Sequence, residues 1–313
     1  MGRATYIRNR LFLMVFVLFG VTILVFSMVH FLPGDPAATI LGDRGTVQNI
    51  AELHEQLGLN RPLPEQYWLF VSGLVRGQMG TSLMFRQPVS EMVLSRVPIT
   101  IGLTVYTMLL AAVFTLVFGL LAAVNKGRWV DQTIRVAFLF ILTTPNFWFG
   151  IQLILVLSLA LKWFPVAGFG ANFQEHVWYL FLPALTLSLQ LSAVLIRNLR
   201  SQVILTMRSD FVRTARAKGL PDRVVLLQHT VRNALLSTVT IFGLQFGFLV
   251  GGALVIETVF AIPGIGQLLF SSISARDYPV VQAITVVSAV MVIMVNLIVD
   301  VSYSFLDPRV TYE

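Results

Sequence analysis

The chain consists of long, uninterrupted apolar runs separated by short polar segments, and it lacks the amphipathic periods of a soluble domain. A helix that rises about 1.5 Å per residue needs roughly 20 apolar residues to cross the hydrocarbon core of a bilayer. The stretches that meet this length are 10–32, 98–124, 135–162, 177–197, 235–257 and 279–303. The pattern therefore predicts an all-α, polytopic membrane protein with about six transmembrane helices.

Two of these stretches carry features that could alter the prediction. The first follows Arg3, Arg8 and Arg10, which resemble the charged region of a signal peptide. It is long, however, and ends in "HFLPGDP" without a small-residue cleavage site, so residues 1–32 are expected to remain as an anchor helix. The fourth contains Pro183, so we expect a kink in its first turn or an interfacial position there.

The polar segments divide the rest of the chain. Residues 33–97 contain a helix-like piece, "TVQNIAELHEQLG", and Pro/Gly punctuation, which predict a small cap that follows the first helix on the outer face. Spans two to six form a core over 98–306, which contains a long polar loop over 198–234. A short tail, 307–313, follows.

Composition and charge placement support this picture. The chain is 56% hydrophobic and 12% charged, and it has no cysteine, which excludes disulfides and thiolate chemistry. Lysines and arginines concentrate at the N-terminus, in the loop after the second span, and in the loop 198–234. By the positive-inside rule, both termini and the loop 198–234 should be cytoplasmic.

The spans contain no recognisable energy source. The P-loop pattern, "HExxH" and "GxSxG" are all absent, so we predict no catalytic residue and no metal site. Ionisable residues are few and lie near span ends: His30, Glu257 and Asp300. Glu257 suits either a packing role or the lining of a substrate path. For Asp300 we expect a structural role beside a loop arginine.

Amides, an aromatic residue and regularly spaced glycines mark possible contact positions within the spans. Asn146, Trp148, Gln190, Gln245 and Asn296 suit either a polar path or contacts between helices, and the sequence leaves both open. Gly243, Gly247 and Gly251 recur every four residues, which predicts close packing against a helix of this chain or of a partner. No internal repeat is evident, which argues against an inverted-repeat secondary transporter.

The basic stretch "DFVRTARAKGLPDRVVLLQHTVRNAL", residues 210–235, has the order helix, corner, helix. Ser209 or Asp210 can cap the first helix. Gly219 is the expected left-handed terminator, with Leu220 folding back on the helix, and Pro221 suits the first turn of the second helix.

The first of these helices is expected to expose a surface of small residues with basic flanks. The small residues are Thr214, Ala215, Ala217 and Gly219, and the flanking ones are Arg213, Arg216 and Lys218. Such a surface fits docking into a groove, or contact with anionic lipid. Nucleic-acid binding is not expected, because no aromatic stacking platform accompanies the charge.

The same stretch resembles the integral permease subunits of bacterial ATP-binding-cassette (ABC) importers, in the dipeptide/oligopeptide/nickel branch. It departs from the broad signature "EAA---G" with Arg213 at the glutamate position and Thr214 at an alanine position, and the form "RTARAKGL…RNAL" is similar to that branch. Further similar segments follow in order along the chain: "FLPGDP", "LGLNRPLPEQY", "GTS", "TPNFWFG", "VIETVFAIPGIGQL", "RDYPVVQ" and "NLIVDVSYSFLDPR".

The resemblance implies a coupling helix that docks on a cytoplasmic ATPase subunit and comprises Arg213, Thr214, Ala215, Arg216, Ala217, Lys218, Gly219 and Leu220. It implies a bacterial cytoplasmic membrane, a second homologous permease subunit, two ATPase subunits that bind ATP and Mg, and an extracytoplasmic solute-binding protein. It implies no cofactor in this chain. The cargo stays open among dipeptides, longer peptides, glutathione and nickel chelates. A stand-alone secondary transporter or channel, and a membrane scaffold or sensor, are the alternatives.

Overall fold

The computed structural model describes residues 3–31, 46–56 and 60–306, and the regular structure in these ranges is helical apart from one isolated bridge between Thr81 and Pro88. The fold is all-α, as predicted. The helices are α1 (Arg3–Phe31), α2 (Val47–Gln56), α3 (Leu63–Val75), α4 (Val89–Leu94), α5 (Val97–Val124), α6 (Trp129–Thr143), α7 (Asn146–Leu153), α8 (Phe173–Thr206), α9 (Asp210–Ala217), α10 (Asp222–Val224), α11 (Arg232–Leu244), α12 (Phe246–Val259), α13 (Ile265–Ser274) and α14 (Tyr278–Leu306). Two π-helical turns, Ile154–Ala160 and Val225–Val231, continue α7 and α10.

Every stretch predicted as a span is helical over most of its length. Among the described residues, Val89–Val124, Phe173–Thr206 and Tyr278–Ile298 are each long and apolar enough to cross a membrane, and a bent helix pair makes a fourth candidate. The first predicted span coincides with α1. The fifth is divided into α11 and α12 by a turn at Gln245, where ψ is −10°.

The predicted third span, 135–162, is not a single helix. α6 and the helix that starts with α7 meet at an angle of 109°. Pro145 causes the break, since it has no amide proton and forces Thr144 into an extended conformation with ψ of 134°. The sequence prediction flagged Pro183 and overlooked Pro145.

The fourth span also differs from the prediction, because α8 begins at Phe173 and passes through Pro183 in its interior, not in its first turn. The Asn172 side chain caps the start of this helix. The Asn172 side chain accepts a hydrogen bond from the Glu175 amide at 2.9 Å and donates to Glu175 Oε1 at 2.8 Å. α8 continues to Thr206, so the first residues of the predicted loop 198–234 are helical.

Small side chains form the buried face of α5. Its buried residues include Thr100, Thr104, Thr107, Ala111, Thr115, Gly119 and Ala122. Ser192 of α8 donates to the Ala111 carbonyl at 3.4 Å, and a Cβ built on Gly119 would lie 2.9 Å from Leu199 Cδ2. Because lipid tails supply little hydrophobic drive between helices, contacts through small side chains such as these stabilise the packing of α5 against α8.

The chain forms two compact units. One comprises residues 100–263 and the segment from Val295, and the other comprises the part before Thr100 and residues 264–294. The segment 264–294, which the sequence grouped with the core, thus belongs with the outer loop. The predicted anchor, cap and tail include residues 1–2, 32–45, 57–59 and 307–313, which lie outside the described residues, as do most of the segment "FLPGDP" and the side chains of His30 and Asp300.

Within the second unit, the Asp277 carboxylate organises the loop before α4. Its Oδ2 accepts hydrogen bonds from Ser82 Oγ at 2.5 Å and from the Met84 amide at 3.3 Å, and its Oδ1 accepts from the Leu83 amide at 3.2 Å. Asp277 and Ser82 come from the segments "RDYPVVQ" and "GTS" of the sequence. An apolar cluster of residues from α4, α13 and α14 packs in the same unit: Val89, Val93, Ile265, Leu268, Val280 and Ile284.

We predict that Gly119→Val destabilises the protein by about 1–3 kcal/mol, because the added carbons meet Leu199 within a packed interface. Gly102→Val is the matched control, since Gly102 lies in the same helix with no atom within 4 Å of its Cβ position. Thermal unfolding of both variants in detergent measures the difference. Equal losses in the two variants would show that valine in α5, rather than the contact, is responsible.

Candidate functional site

The corner after α9 is a complete Schellman motif. The Gly219 amide donates to the Arg216 carbonyl at 2.9 Å, and the Leu220 amide donates to the Ala215 carbonyl at 3.4 Å. Gly219 has φ of +79°, a conformation that side chains with a Cβ adopt only at a cost. The predicted order of helix, glycine corner and helix is confirmed.

Three details of this segment differ from the prediction. Ser209 precedes α9, but its hydroxyl donates to the Thr206 carbonyl at 2.6 Å and caps no amide of α9. Pro221 lies one position before α10 rather than within it. The sequence also gave no indication that the chain leading into α11 is π-helical over Val225–Val231.

One side of α9 is packed against its own chain and the other is exposed. Val212 and Ala215 are buried in a small cluster with Val225. Ala215 was predicted on the exposed face, and this is wrong, because the apolar side of α9 must pack on the π-helical turn. The exposed residues are Arg213, Thr214, Arg216, Ala217, Lys218, Gly219 and Leu220.

The charged side chains on α9 form only weak, solvent-exposed ion pairs. Arg213 lies 3.5 Å from Asp210, and Arg216 lies 3.4 Å from Asp222, in exposed pairs that contribute little energy. Lys218 has no ion-pair partner among the described residues. The segment therefore presents small side chains and positive charge that are available to a partner.

A buried ion pair fixes α6 to the part of α8 that leads to α9. The fully buried Asp131 carboxylate accepts from Arg200 Nε at 2.6 Å, from Arg200 Nη2 at 2.7 Å and from the Gly127 amide at 2.9 Å. This two-point geometry is strong and directional. Sequence reasoning missed this pair, although Asp131 is the acidic residue of an otherwise basic loop, "NKGRWVDQTIR".

A cavity of about 320 Å³ lies where the break after α6 faces α8 and the turn between α11 and α12. Three of the amides singled out from the sequence line it: Asn146, Gln190 and Gln245. Gln190 Nε2 lies 3.4 Å from the Thr144 carbonyl, at the C-terminus of α6, where carbonyls lack helical partners. The remaining wall is apolar and includes Leu142, Leu187, Leu191, Val194 and Leu249.

Trp148 and Glu257 do not line this cavity. Trp148 is about two-fifths exposed on α7. Glu257 is fully buried, and its Oε1 accepts from Thr100 Oγ at 2.6 Å, which matches the packing role rather than the path role considered from the sequence. Within the first unit, this contact links α12 to the start of α5.

The predicted glycine face does not pack as one surface in this chain. Gly243 and Gly251 lie on opposite sides of the turn at Gln245, and no atom lies within 4 Å of the Cβ position of Gly251. The neighbouring Gly252 instead faces Leu187 at 3.5 Å and Asn146 at 3.7 Å. Gly247, which lies between Gly243 and Gly251 in the sequence, is partly buried.

Two family profiles cover most of the chain. Residues 115–312 match the binding-protein-dependent transport system inner membrane component, and residues 4–104 match its N-terminal membrane component. The chain belongs to this family. It is the permease subunit of an ABC importer, of the peptide/oligopeptide type that the sequence resembles.

Named relatives match the permease along almost its whole length. The glutathione transport system permease protein GsiC of Escherichia coli O6:H1 (strain CFT073) is 40% identical over 308 residues, which cover 98% of this chain and 99% of the relative. GsiC of E. coli strain K12 and GsiC of Salmonella choleraesuis (strain SC-B67) match with the same identity and coverage.

Solved transporters share the fold at low sequence identity. The MetNI methionine ABC transporter in an inward-facing conformation superposes with a TM-score of 0.58 at 15% identity, over 69% of this chain and 96% of that chain. An amino acid ABC transporter with histidines gives 0.54 at 12% identity, over 69% and 94%. Over the part that superposes, this chain therefore has the fold of an ABC transporter permease.

Proposed function

We propose that this permease forms half of the translocation path for short peptides or a peptide-like solute such as glutathione, and that α9 with Gly219 and Leu220 is its coupling helix. The observation that supports the coupling role is the exposed, basic face of α9, which is fixed in place by the Schellman corner and by the packing of Val212 and Ala215. A short helix is marginal in water unless it is packed, and this one is fixed on one side only.

The proposed partners follow from this arrangement. The exposed side of α9 seats in a groove of a cytoplasmic ATPase subunit, and two such subunits bind ATP and Mg and hydrolyse the ATP. A second, homologous permease completes the path, and Gly251, open on the surface of α12, is available to pack against it. A cargo-loaded binding protein docks on the outer face, and both termini are cytoplasmic.

The central cavity is the proposed cargo path. Three uncharged amides in an apolar wall can hydrogen-bond peptide groups without holding an ion, which suits a carrier whose energy comes from another subunit. The 40% identity to a glutathione permease over 98% of this chain supports a peptide-like cargo. A stand-alone, ion-driven carrier is the alternative, and uptake by the purified permease alone in vesicles under an ion gradient would favour it.

The coupling role predicts a specific response at Gly219. Gly219→Val forces a β-branched residue into the left-handed region, at a cost of roughly 1.4 kcal/mol in conformational strain. Because this energy is a factor of about ten in an equilibrium constant, we expect about tenfold lower cargo uptake by the assembled transporter. Gly219→Asn is the control, because asparagine tolerates this conformation and should retain uptake. Membrane insertion should be unchanged in both. Normal uptake by the valine variant would count against the coupling assignment.

The orientation can be measured with single cysteines, since the natural chain has none. A membrane-impermeant maleimide should label Ala217→Cys in inverted vesicles only, and added ATPase subunits should protect it. Gln87→Cys, in the exposed loop before α4, should be labelled in right-side-out vesicles only. Labelling of the Ala217→Cys thiol from outside the cell would exclude the proposed function.

The cavity predicts a size dependence at Gly252. Gly252→Ala meets its neighbours at ordinary contact distances and should transport, whereas Gly252→Leu fills the cavity and should abolish uptake of a labelled dipeptide or glutathione. Gly102→Leu, with no neighbour within 4 Å, is the control for the added side chain. ATPase subunits should copurify with all three. Wild-type transport by Gly252→Leu would place the path elsewhere.

A further inference from the structure

A second cleft, separate from the coupling helix, lies between α6 and α8. It has a volume of about 220 Å³, and its apolar wall is formed by Phe138, Leu139, Leu142, Ala193 and Ile196. Leu139 is more than half exposed, and the adjacent Val136 and Phe140 on α6 are exposed to a similar extent. The cleft is therefore continuous with an apolar surface of the kind that faces lipid tails.

Arginines stand at one end of this cleft. Arg135, Arg197 and Arg200 all line it, against the single carboxylate of Asp131. Arg200 is held by Asp131 in two hydrogen bonds, and Arg135 lies 3.4 Å from the same carboxylate. Arg197 is exposed and has no hydrogen-bond or ion-pair partner within residues 3–31, 46–56 and 60–306. The cleft mouth thus carries excess positive charge, with one guanidinium free.

We propose that this cleft binds an anionic phospholipid of the cytoplasmic leaflet, with the phosphate at Arg197 and Arg135 and an acyl chain along Phe138, Leu139 and Ile196. The proposal rests on the orientation given under the proposed function. In that orientation, Arg135 in the first half of α6 and Arg197 in the last third of α8 lie toward the cytoplasmic side. Basic pockets between helices on this side of a membrane suit anionic headgroups.

The shape of the cleft favours a lipid over a soluble anion. A free anion would contact only the arginines and would leave the apolar wall without a partner, whereas an amphiphile satisfies both ends of the cleft. Leu142 also lines the central cavity, so a cargo carboxylate leaving that cavity is the competing occupant to be tested.

The test uses the assembled transporter in nanodiscs of phosphatidylcholine with added phosphatidylglycerol. Native mass spectrometry measures how much phosphatidylglycerol stays bound to the transporter after the transporter is released from the nanodisc. Arg197→Gln should weaken this retention about fivefold, the effect of one arginine at an anionic membrane surface. Arg208→Gln is the matched control, because Arg208 is exposed just beyond the end of α8 and outside the cleft. It should retain the lipid as the natural protein does.

A second variant separates the cleft from charge alone. Leu139→Trp fills the apolar wall without changing any charge, and it should reduce phosphatidylglycerol retention as well. Equal losses in Arg197→Gln and Arg208→Gln, or none in Arg197→Gln, would overturn the proposal. Displacement of the bound lipid by millimolar inorganic phosphate or by a soluble dipeptide would overturn it too, because it would identify a site for a soluble anion or for the cargo.

Failure of the lipid-site proposal can be distinguished from failure of the proposed function. The labelling of Ala217→Cys reports orientation and ATPase docking independently of lipid. If that labelling is as expected and Arg197→Gln retains phosphatidylglycerol normally, only the lipid site is wrong.

Discussion

The first unit of this permease depends on the packing of helices around α8, which contacts α6, α7, α11 and α12. In a bilayer, helices gain little by burying apolar surface against one another, so contact area and backbone proximity decide which helices associate. α5 contacts α8 through hydroxyl side chains and small residues, and Gly119 leaves no room for a Cβ beside the Leu199 side chain. α8 has buried residues from Leu180 to Val203, and it contributes both to the cavity and to the Asp131–Arg200 pair.

The break at Pro145 turns this packed frame into one with a cavity. A straight third span would carry Asn146 along the same axis as α6. The 109° bend instead brings Asn146 opposite Gln190 of α8 and Gln245 of the turn between α11 and α12. The same break exposes carbonyls at the end of α6, and the Gln190 side chain supplies a donor there. Irregular backbone at membrane depth is tolerated where side chains or a cavity can satisfy it.

Much of this fold could be predicted from the sequence because apolar length and loop charge are strong local constraints in a membrane protein. The corner at Gly219 was also predictable from local sequence, because a left-handed helix terminator requires particular residue types at a few adjacent positions. The amides of the cavity were identified, but their convergence depends on the break at Pro145. Sequence did not predict this break, because Pro183 lies in a similar apolar stretch and is accommodated within the continuous helix α8. The packing of Gly243, Gly247 and Gly251 against a partner helix stays a prediction. The close contacts at Gly119 and Gly150 within this chain depend on how helices face each other rather than on the period of one helix. Asp131 stands out as an acidic residue in a basic stretch, but its partner Arg200 lies 69 residues away, and no local pattern pairs the two.

α8 gives a physical route between the coupling helix and the cavity. It is a continuous helix in which Leu187, Gln190 and Leu191 line the cavity, and it ends at Thr206, next to the turn into α9. Gln190 and Thr206 are separated by about 24 Å of continuous helix. The Asp131–Arg200 pair joins α6 to the end of α8 that leads into α9, and α6 carries Leu142 at the cavity and ends just before the break at Pro145. On the proposed function, a displacement of α9 by an ATPase subunit would reach the cavity through these two walls together, and the permease would need no energy-converting group of its own.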